Sequence, residues 1–398
     1  MCAMERLRTC VFWTHLALGV AAGAVILVMC VTGTALTYEK QLLEWADRRA
    51  TTMSSPAGAP PLSPETLLAA VVTAVPGTAP IGLTLRADGA MPATVAVEGG
   101  RALLADPTSG RIVSEASPGL RRSFRVMTDW HRWLAFDGAR RALGRSVTGV
   151  ANLVFLFVVL SGLYLWIPRT PTWPLLRRTL WFRGGLPPKA RHFNWHNVIG
   201  VWSALPLALL VTGALPISFG WAGDLVFRLA GEAPPVRGGT RPAAVAVGDR
   251  PGRGAALSTA GVDDAVAAAV ALVPGWRTAS VRLSALDQPL TVVVDAGYGG
   301  QPQYRTTFTI DRATARIVQR ERFDDLSAGR RWRSWLRFVH TGEYYGLAGQ
   351  TLAGLVSAGG AVLVYTGVAL SLRRFGAWRR RRAGAAGFTA GARGIELS

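Results

Sequence analysis

Histidine is scarce in this chain: five in 398 residues, at positions 15, 131, 192, 196 and 340. Cysteine is rarer still, with Cys2 and Cys10 near the N-terminus, Cys30 inside an apolar run and none in the long polar segments. That excludes a disulfide framework and a thiolate metal site. Acids are few, 24 Asp and Glu against 44 Lys and Arg, which leaves a formal net charge of +20. The excess is mostly arginine beside apolar runs, a placement that suits lipid headgroups or anionic ligands. No DNA- or RNA-binding motif accompanies it, so no nucleic-acid partner is expected. There is also no G-x-G-x-x-G loop and no flavin domain, so any electrons the chain handles come from a quinol or a separate reductase.

What is abundant is apolar length. Half of the residues are hydrophobic, 14 are Trp and only 17% are charged. Four runs can span a bilayer, 11–38, 146–167, 192–220 and 350–372, since about 20 apolar residues cross its hydrocarbon core. The first is too long for the apolar core of a signal peptide and reads as a retained span. The segment 168–191 carries Arg169, Arg177, Arg178, Arg183, Lys189 and Arg191 without one acid, and the tail 373–398 is equally basic. By the positive-inside rule both are cytoplasmic, which places the long segments 39–145 and 221–349 outside.

Those long segments resemble each other. SPETLLAAVVTAVPG (63–77) and VDDAVAAAVALVPG (262–275) each read as a helix closed by Val-Pro-Gly, and alternating strands follow. LLADPTSGRIV (103–113) and FTIDRATARIV (308–318) then repeat one hairpin pattern. Residues 231–260, rich in Gly, Pro and Ala, form a lead-in to the second copy. The spans repeat as well: WTHLALGV from Trp13 with TGTAL from Thr32 matches WHNVIGV from Trp195 with TGALP from Thr212. Residues 148–162 likewise match 353–367, with Gly149 and Gly162 aligned on Gly354 and Gly367. The expected fold class is an integral membrane α-helical protein, a four-span bundle from a duplicated span–domain–span unit, carrying two small α+β domains.

All five histidines fall at or near the ends of spanning runs. An ionisable group at that depth is costly and marks a functional site. The duplication equates His15 with His196 and His131 with His340, and facing imidazoles from two helices are what bis-His ligation of a b-type haem requires. Two haems, one near each face, would carry electrons across the bilayer. His192 has no counterpart in the first repeat but shares a helical face with His196, so it is a substitute ligand, a proton relay or a helix cap. Gly19, Gly33, Gly200 and Gly213 recur at matched depths and would let helices, or a flat macrocycle, approach the backbone. Arg121, Arg122, Arg125, Arg132, Arg140, Arg141 and Arg145 crowd the outer approach to the second span. They would pair with propionates, an anionic substrate or headgroups.

The segments DWHRWLAFDG (129–138), WHNVIGVW (195–202) and RFVHTGEYYGLAGQ (337–350), with helix-VPG-hairpin modules between spans, resemble the PepSY-associated transmembrane helix family of bacterial inner-membrane proteins. The resemblance covers roughly residues 10–375. It implies two periplasmic PepSY-like domains, cytoplasmic termini and two haem b, held by His131 with His340 and by His15 with His196. It also implies reduction of a ferric chelate, a ferric siderophore, to release Fe(II). The alternative is a non-catalytic PepSY membrane protein that binds peptides or regulates an envelope protease.

Overall fold

The computed structural model describes residues 3–49, 60–89, 91–168, 172–236, 257–298 and 300–395. Cys2, Arg169 and most of the Gly-, Pro- and Ala-rich lead-in lie outside the described residues. In chain order the first elements are α1 (Ala3–Leu36), α2 (Glu39–Arg49), α3 (Pro64–Ala74), β1 (Pro80–Arg86), β2 (Ala93–Val97), β3 (Arg101–Ala105), β4 (Ile112–Glu115), α4 (Pro118–Trp133), α5 (Arg141–Trp166), α6 (Trp173–Leu180) and α7 (Pro188–Ser218). The rest are α8 (Gly220–Leu229), β5 (Leu257–Ser258), α9 (Val262–Ala271), β6 (Thr278–Arg282), β7 (Ser284–Ala285), β8 (Leu290–Asp295), β9 (Arg305–Ile310), β10 (Ile317–Arg322), α10 (Ala328–His340) and α11 (Gly346–Ile395). They divide into two compact units.

The membrane unit comprises Met1–Thr37, Met127–Phe219 and Thr351–Ser398. Four helical stretches are long and apolar enough to cross a membrane: Met4–Leu36, Gly138–Trp166, Pro188–Ser218 and Glu343–Arg382. The helices outrun their apolar segments, because backbone hydrogen bonds continue where side chains turn basic. Pro187 and Pro188 start α7 where a missing N–H costs nothing, so His192 and His196 both lie in its first turns. Ile26, Cys30, Phe155, Val159, Leu207, Val211 and Val356 form the core, drawn from all four helices. Where apolar packing gives no preference for one register, polar clamps supply it. The Asn152 side-chain amide donates to the Val211 carbonyl at 3.0 Å, joining α5 to α7. Arg8 donates to the carbonyls of Leu165 at 2.6 Å and Ile167 at 2.9 Å, closing the end of α5.

The second unit, Tyr38–Val126 with Gly220–Gln350, holds the strands. Two separate α+β domains were expected here; instead both strand sets form one antiparallel sheet in the order β10-β9-β8-β6-β1-β2-β3-β4. The join is β1 against β6, centred on Thr84 opposite Ser280, whose hydroxyls are 2.9 Å apart. Alone, each module would expose an unpaired edge strand; pairing the two edges removes both. The cores merge accordingly: Leu67, Leu68 and Val71 of α3 and Val262, Ala265 and Ala269 of α9 pack with Leu83, Val95, Val281, Val292 and Phe308 in one cluster. The helix starts cap each other. The Glu65 N–H donates to Asp263 Oδ1 at 2.7 Å, and the Asp263 N–H donates to Glu65 Oε1 at 3.3 Å. Each carboxylate thus accepts from the other helix's unsatisfied amides.

The repeated hairpins adopt the same turn. Asp106 Oδ1 accepts from Thr108, and Asp311 Oδ1 accepts from Thr314. A left-handed residue follows in each, Gly110 at φ +69° and Ala315 at φ +53°. The modules differ at the residue after the Asp, where Pro107 stands in one and Arg312 in the other. Arg312 is buried and donates to the carbonyls of Ser258, Ala260 and Ser284 and to the Ser284 hydroxyl. It ties β5 and β7 to the hairpin without a carboxylate contact among those bonds. Burial lowers its pKa from the usual guanidinium value.

Candidate functional site

Three of the four histidines of the membrane unit are seated in one repeated way. His15 Nδ1 lies 2.9 Å from the Ser161 hydroxyl of α5. His196 Nδ1 lies 3.0 Å from the Thr366 hydroxyl of α11. His131 Nδ1 lies 3.0 Å from the Thr32 hydroxyl of α1. Each hydroxyl also donates back into its own helix: Ser161 to the Val158 carbonyl at 3.2 Å, Thr366 to Val362 at 2.8 Å and Thr32 to Val28 at 2.6 Å. A hydroxyl has one proton to give. With that proton on the carbonyl, the oxygen accepts from the imidazole, so Nδ1 carries the hydrogen and Nε2 keeps its lone pair. This assigns the tautomer from the network. For His15 and His196 it is the arrangement a metal-ligating histidine needs, one nitrogen donating to a fixed acceptor and the other left to ligate.

A glycine follows every one of these hydroxyl residues, and it determines how close the ring can come. A Cβ built on Gly162 would sit 3.2 Å from His15 Cε1, one on Gly33 3.3 Å from His131 Cε1, and one on Gly367 3.4 Å from His196 Cε1. A Ser/Thr-Gly dipeptide thus provides both the acceptor and the space. The other glycines of the sequence pattern divide by role. Gly149 faces the Phe219 ring and Gly354 faces Thr37, as in a helix-packing seam. A Cβ on Gly19 meets nothing within 4 Å, and one on Gly200 meets only Leu363 at 3.7 Å, so a flat ring beside His15 or His196 could lie against either backbone. The donor set, small residues and fixed tautomers fit bis-His ligation of a haem. His15 and His196 lie within electrostatic range of each other. Among the described residues, no three His, Cys, Asp or Glu side chains converge as a metal site.

His192 is seated differently. It is 7% exposed, its Nδ1 has no hydrogen-bond partner, and its ring meets Tyr365 edge-on at 5.5 Å. With no hydroxyl to orient it, it lacks what the other three share, and His196 is the better ligand of the two. His340 ends α10 in the second unit. There the His-Thr-Gly-Glu motif forms a tight corner. Gly342, at φ +74°, approaches the Gly349 backbone so closely that a Cβ would lie 2.4 Å from its carbonyl oxygen. Glu343 pairs with Lys40 and accepts from the Thr341 hydroxyl, and Gln41 donates to Gln350 at 2.7 Å.

The outer arginines are not all available to an anion. Arg121 is paired with buried Asp47 at 2.5 Å. Arg141 is paired with Asp129 at 3.2 Å and stacks on Trp133. Arg122, Arg125, Arg140 and Arg145 are exposed. Trp332, Trp335 and Tyr344 line a groove of about 590 Å³ with Phe323, Leu229 and Arg331.

Sequence spacing located the histidines and their glycines but not the hydroxyl that holds each ring; the signal was the Ser/Thr preceding the glycine. Thr366→Val keeps the volume and removes the acceptor. If His196 ligates a haem, the purified variant is expected to fold and to lose added haem on dilution about ten-fold more readily than the parent, as followed by optical titration; unchanged retention would show that the hydroxyl does not orient a ligand.

The family pattern described as the PepSY-associated TM region matches residues 12–374. No curated protein matches the chain.

Proposed function

The chain belongs to the PepSY-associated TM family, and on that premise we propose that it is a membrane haem b electron carrier reducing a ferric chelate, a ferric siderophore, outside the inner membrane. The observation that carries this is the seating of His15, His131 and His196, each with Nδ1 fixed on a hydroxyl beside a glycine. In this proposal the ligands are paired as the sequence repeat equates them, His15 with His196 and His131 with His340. Bound haem supplies reversible one-electron chemistry at iron. The protein's own part is orientation and exclusion of water. Ser161 and Thr366 would hold the inner imidazoles as Nε2 ligands, and they are themselves 7% and 0% exposed, so water does not compete for Nδ1. One electron delivered to a ferric chelate weakens its hold, because hard oxygen donors bind Fe(II) less well than Fe(III).

The test is the optical spectrum of detergent-extracted protein, before and after dithionite. A Soret band and a reduced α band corresponding to about two haems per chain are expected for paired bis-His sites, with reoxidation on adding a ferric chelate. Protein of full purity with neither band would overturn the reading. The groove around Trp332 and Arg331 would then favour the second reading, a non-catalytic envelope protein binding a peptide there.

A further inference from the structure

His192 is left out of the ligand set, and its surroundings are unusual. An unpartnered nitrogen on a nine-tenths buried side chain costs about 1–3 kcal/mol, and buried polar groups are nearly always paired. Here Nδ1 is the unpaired atom. The ring is walled by Tyr365, which is 58% exposed and stands edge-on, and it sits one helical turn before His196 at the end of α7 that adjoins the basic loop. Phe193 and Trp195 beside it are exposed aromatics. The titratable group facing it from α11 is Tyr365; on its own helix, Lys189, Arg191 and His196 share the same end. Helices α5, α6, α7 and α11 contain no Asp or Glu, and α1 contributes only Glu5, in its first turn. The spanning helices therefore offer no carboxylate at this depth to take up a proton, whereas the unpaired His192 nitrogen has a lone pair that can accept one.

We propose that His192 and Tyr365 form a binding site for a membrane-soluble hydroquinone, whose hydroxyl donates to His192 Nδ1 and leaves its proton there. The inference rests on the electron-carrier reading and identifies its donor. A hydroxyl brought to Nδ1 past the exposed Tyr365 ring would satisfy the unpaired nitrogen. The chemistry balances. The hydroquinone loses two electrons and two protons and becomes the quinone. The two electrons would leave one at a time by way of the haem that His15 and His196 would hold, and two ferric chelates would each take one and become ferrous. One proton passes to His192 and the other to water at the basic-loop end. His192 is thus the group that separates proton from electron, a task the ligand His196 cannot perform while its Nδ1 proton is held by Thr366.

The experiment compares the full-length parent with His192→Gln, Tyr365→Leu and Tyr365→Phe in detergent. Two readouts are used: the rate at which a naphthohydroquinone reduces the protein, and fluorescence quenching of a hydroxyquinoline N-oxide on binding. His192→Gln and Tyr365→Leu are expected to slow reduction and to weaken probe binding, each about ten-fold, the loss of one buried hydrogen bond or its wall. Tyr365→Phe keeps the ring and is expected to bind as the parent does. The dithionite-reduced spectrum should be the same in all four. Parent-like rates and binding in both His192→Gln and Tyr365→Leu overturn the site. If His192→Gln misfolds, Tyr365→Leu decides alone. If dithionite reduces the parent and the hydroquinone does not, the donor inference fails while the carrier reading stands. If dithionite reveals no haem at all, the carrier reading fails, and probe binding alone then supports or overturns the hydroquinone site.

Discussion

On the proposed haem pairing, purified His196→Ala protein is expected to carry about one haem against about two for the parent, and His192→Ala is expected to keep both. Two hydrogen-bond networks separate these neighbours on α7. The His196 imidazole is fixed at Nδ1 by Thr366, whose own proton is engaged with Val362, and Gly367 allows the ring to sit close. Removing it takes away a preorganised Nε2 donor and leaves the Thr366 oxygen without its donor. His192 has no such support, since its Nδ1 is unpaired. Swinging it into the ligand position would mean giving up its contact with Tyr365 without gaining an orienting hydroxyl. His15→Ala should match His196→Ala, because one missing axial ligand is enough to open the site. Haem content by pyridine haemochrome against protein concentration, with the reduced α band, measures this. Loss of haem from His192→Ala together with retention in His196→Ala would sink the assignment of the inner ligands.

Gly342→Ala is expected to prevent stable folding of the strand-bearing unit. Two costs coincide at this residue. Its φ of +74° lies in the left-handed region, where a Cβ costs about 1–2 kcal/mol. That Cβ would also lie 2.4 Å from the Gly349 carbonyl oxygen and 2.7 Å from Gln350 Cα, and backbone cannot give way as a flexible side chain can. The corner between α10 and α11 would have to open, separating Glu343 from Lys40 and Gln350 from Gln41. A combined cost above about 4 kcal/mol is a large part of a domain's total stability. Gly346→Ala is the comparison. It also has a positive φ, +63°, but its Cβ would meet only the Gln301 side chain at 3.4 Å, so strain acts there without backbone collision. Thermal unfolding followed by tryptophan fluorescence should show Gly346→Ala lowered by a few degrees and Gly342→Ala without a cooperative transition. Equal, small shifts in both variants would mean that the corner is soft.

The segment around Gly342 shows how sequence and structure divide the information. RFVHTGEYYGLAGQ was legible as a motif, yet its spacing gave no hint that Gly342 and Gly349 touch through their backbones. The same holds in the sheet. The helix, Val-Pro-Gly and hairpin pattern recurs plainly in residues 63–113 and 262–318, and the turns at Asp106 and Asp311 form as that pattern implies. Two domains were nonetheless expected where one sheet exists. Alternation along a strand reports which face is buried, whereas the identity of its neighbour is decided by hydrogen bonds from residues about 200 positions away, such as Thr84 opposite Ser280.

By itself, then, the sequence determined the four spans, the basic loop between the middle two, the recurrence of small α+β motifs and the placement of five histidines at span ends. Those are properties of apolar length, charge and local turn chemistry, which act over a few residues. Tertiary structure alone decided that β1 and β6 fuse the two strand sets, that Arg121 and Arg141 are already paired, and that His196 is seated on a hydroxyl while His192 is not. These outcomes depend on which groups from distant helices meet within about 3 Å, the range of a hydrogen bond. The spacing of residues along one helix cannot encode that.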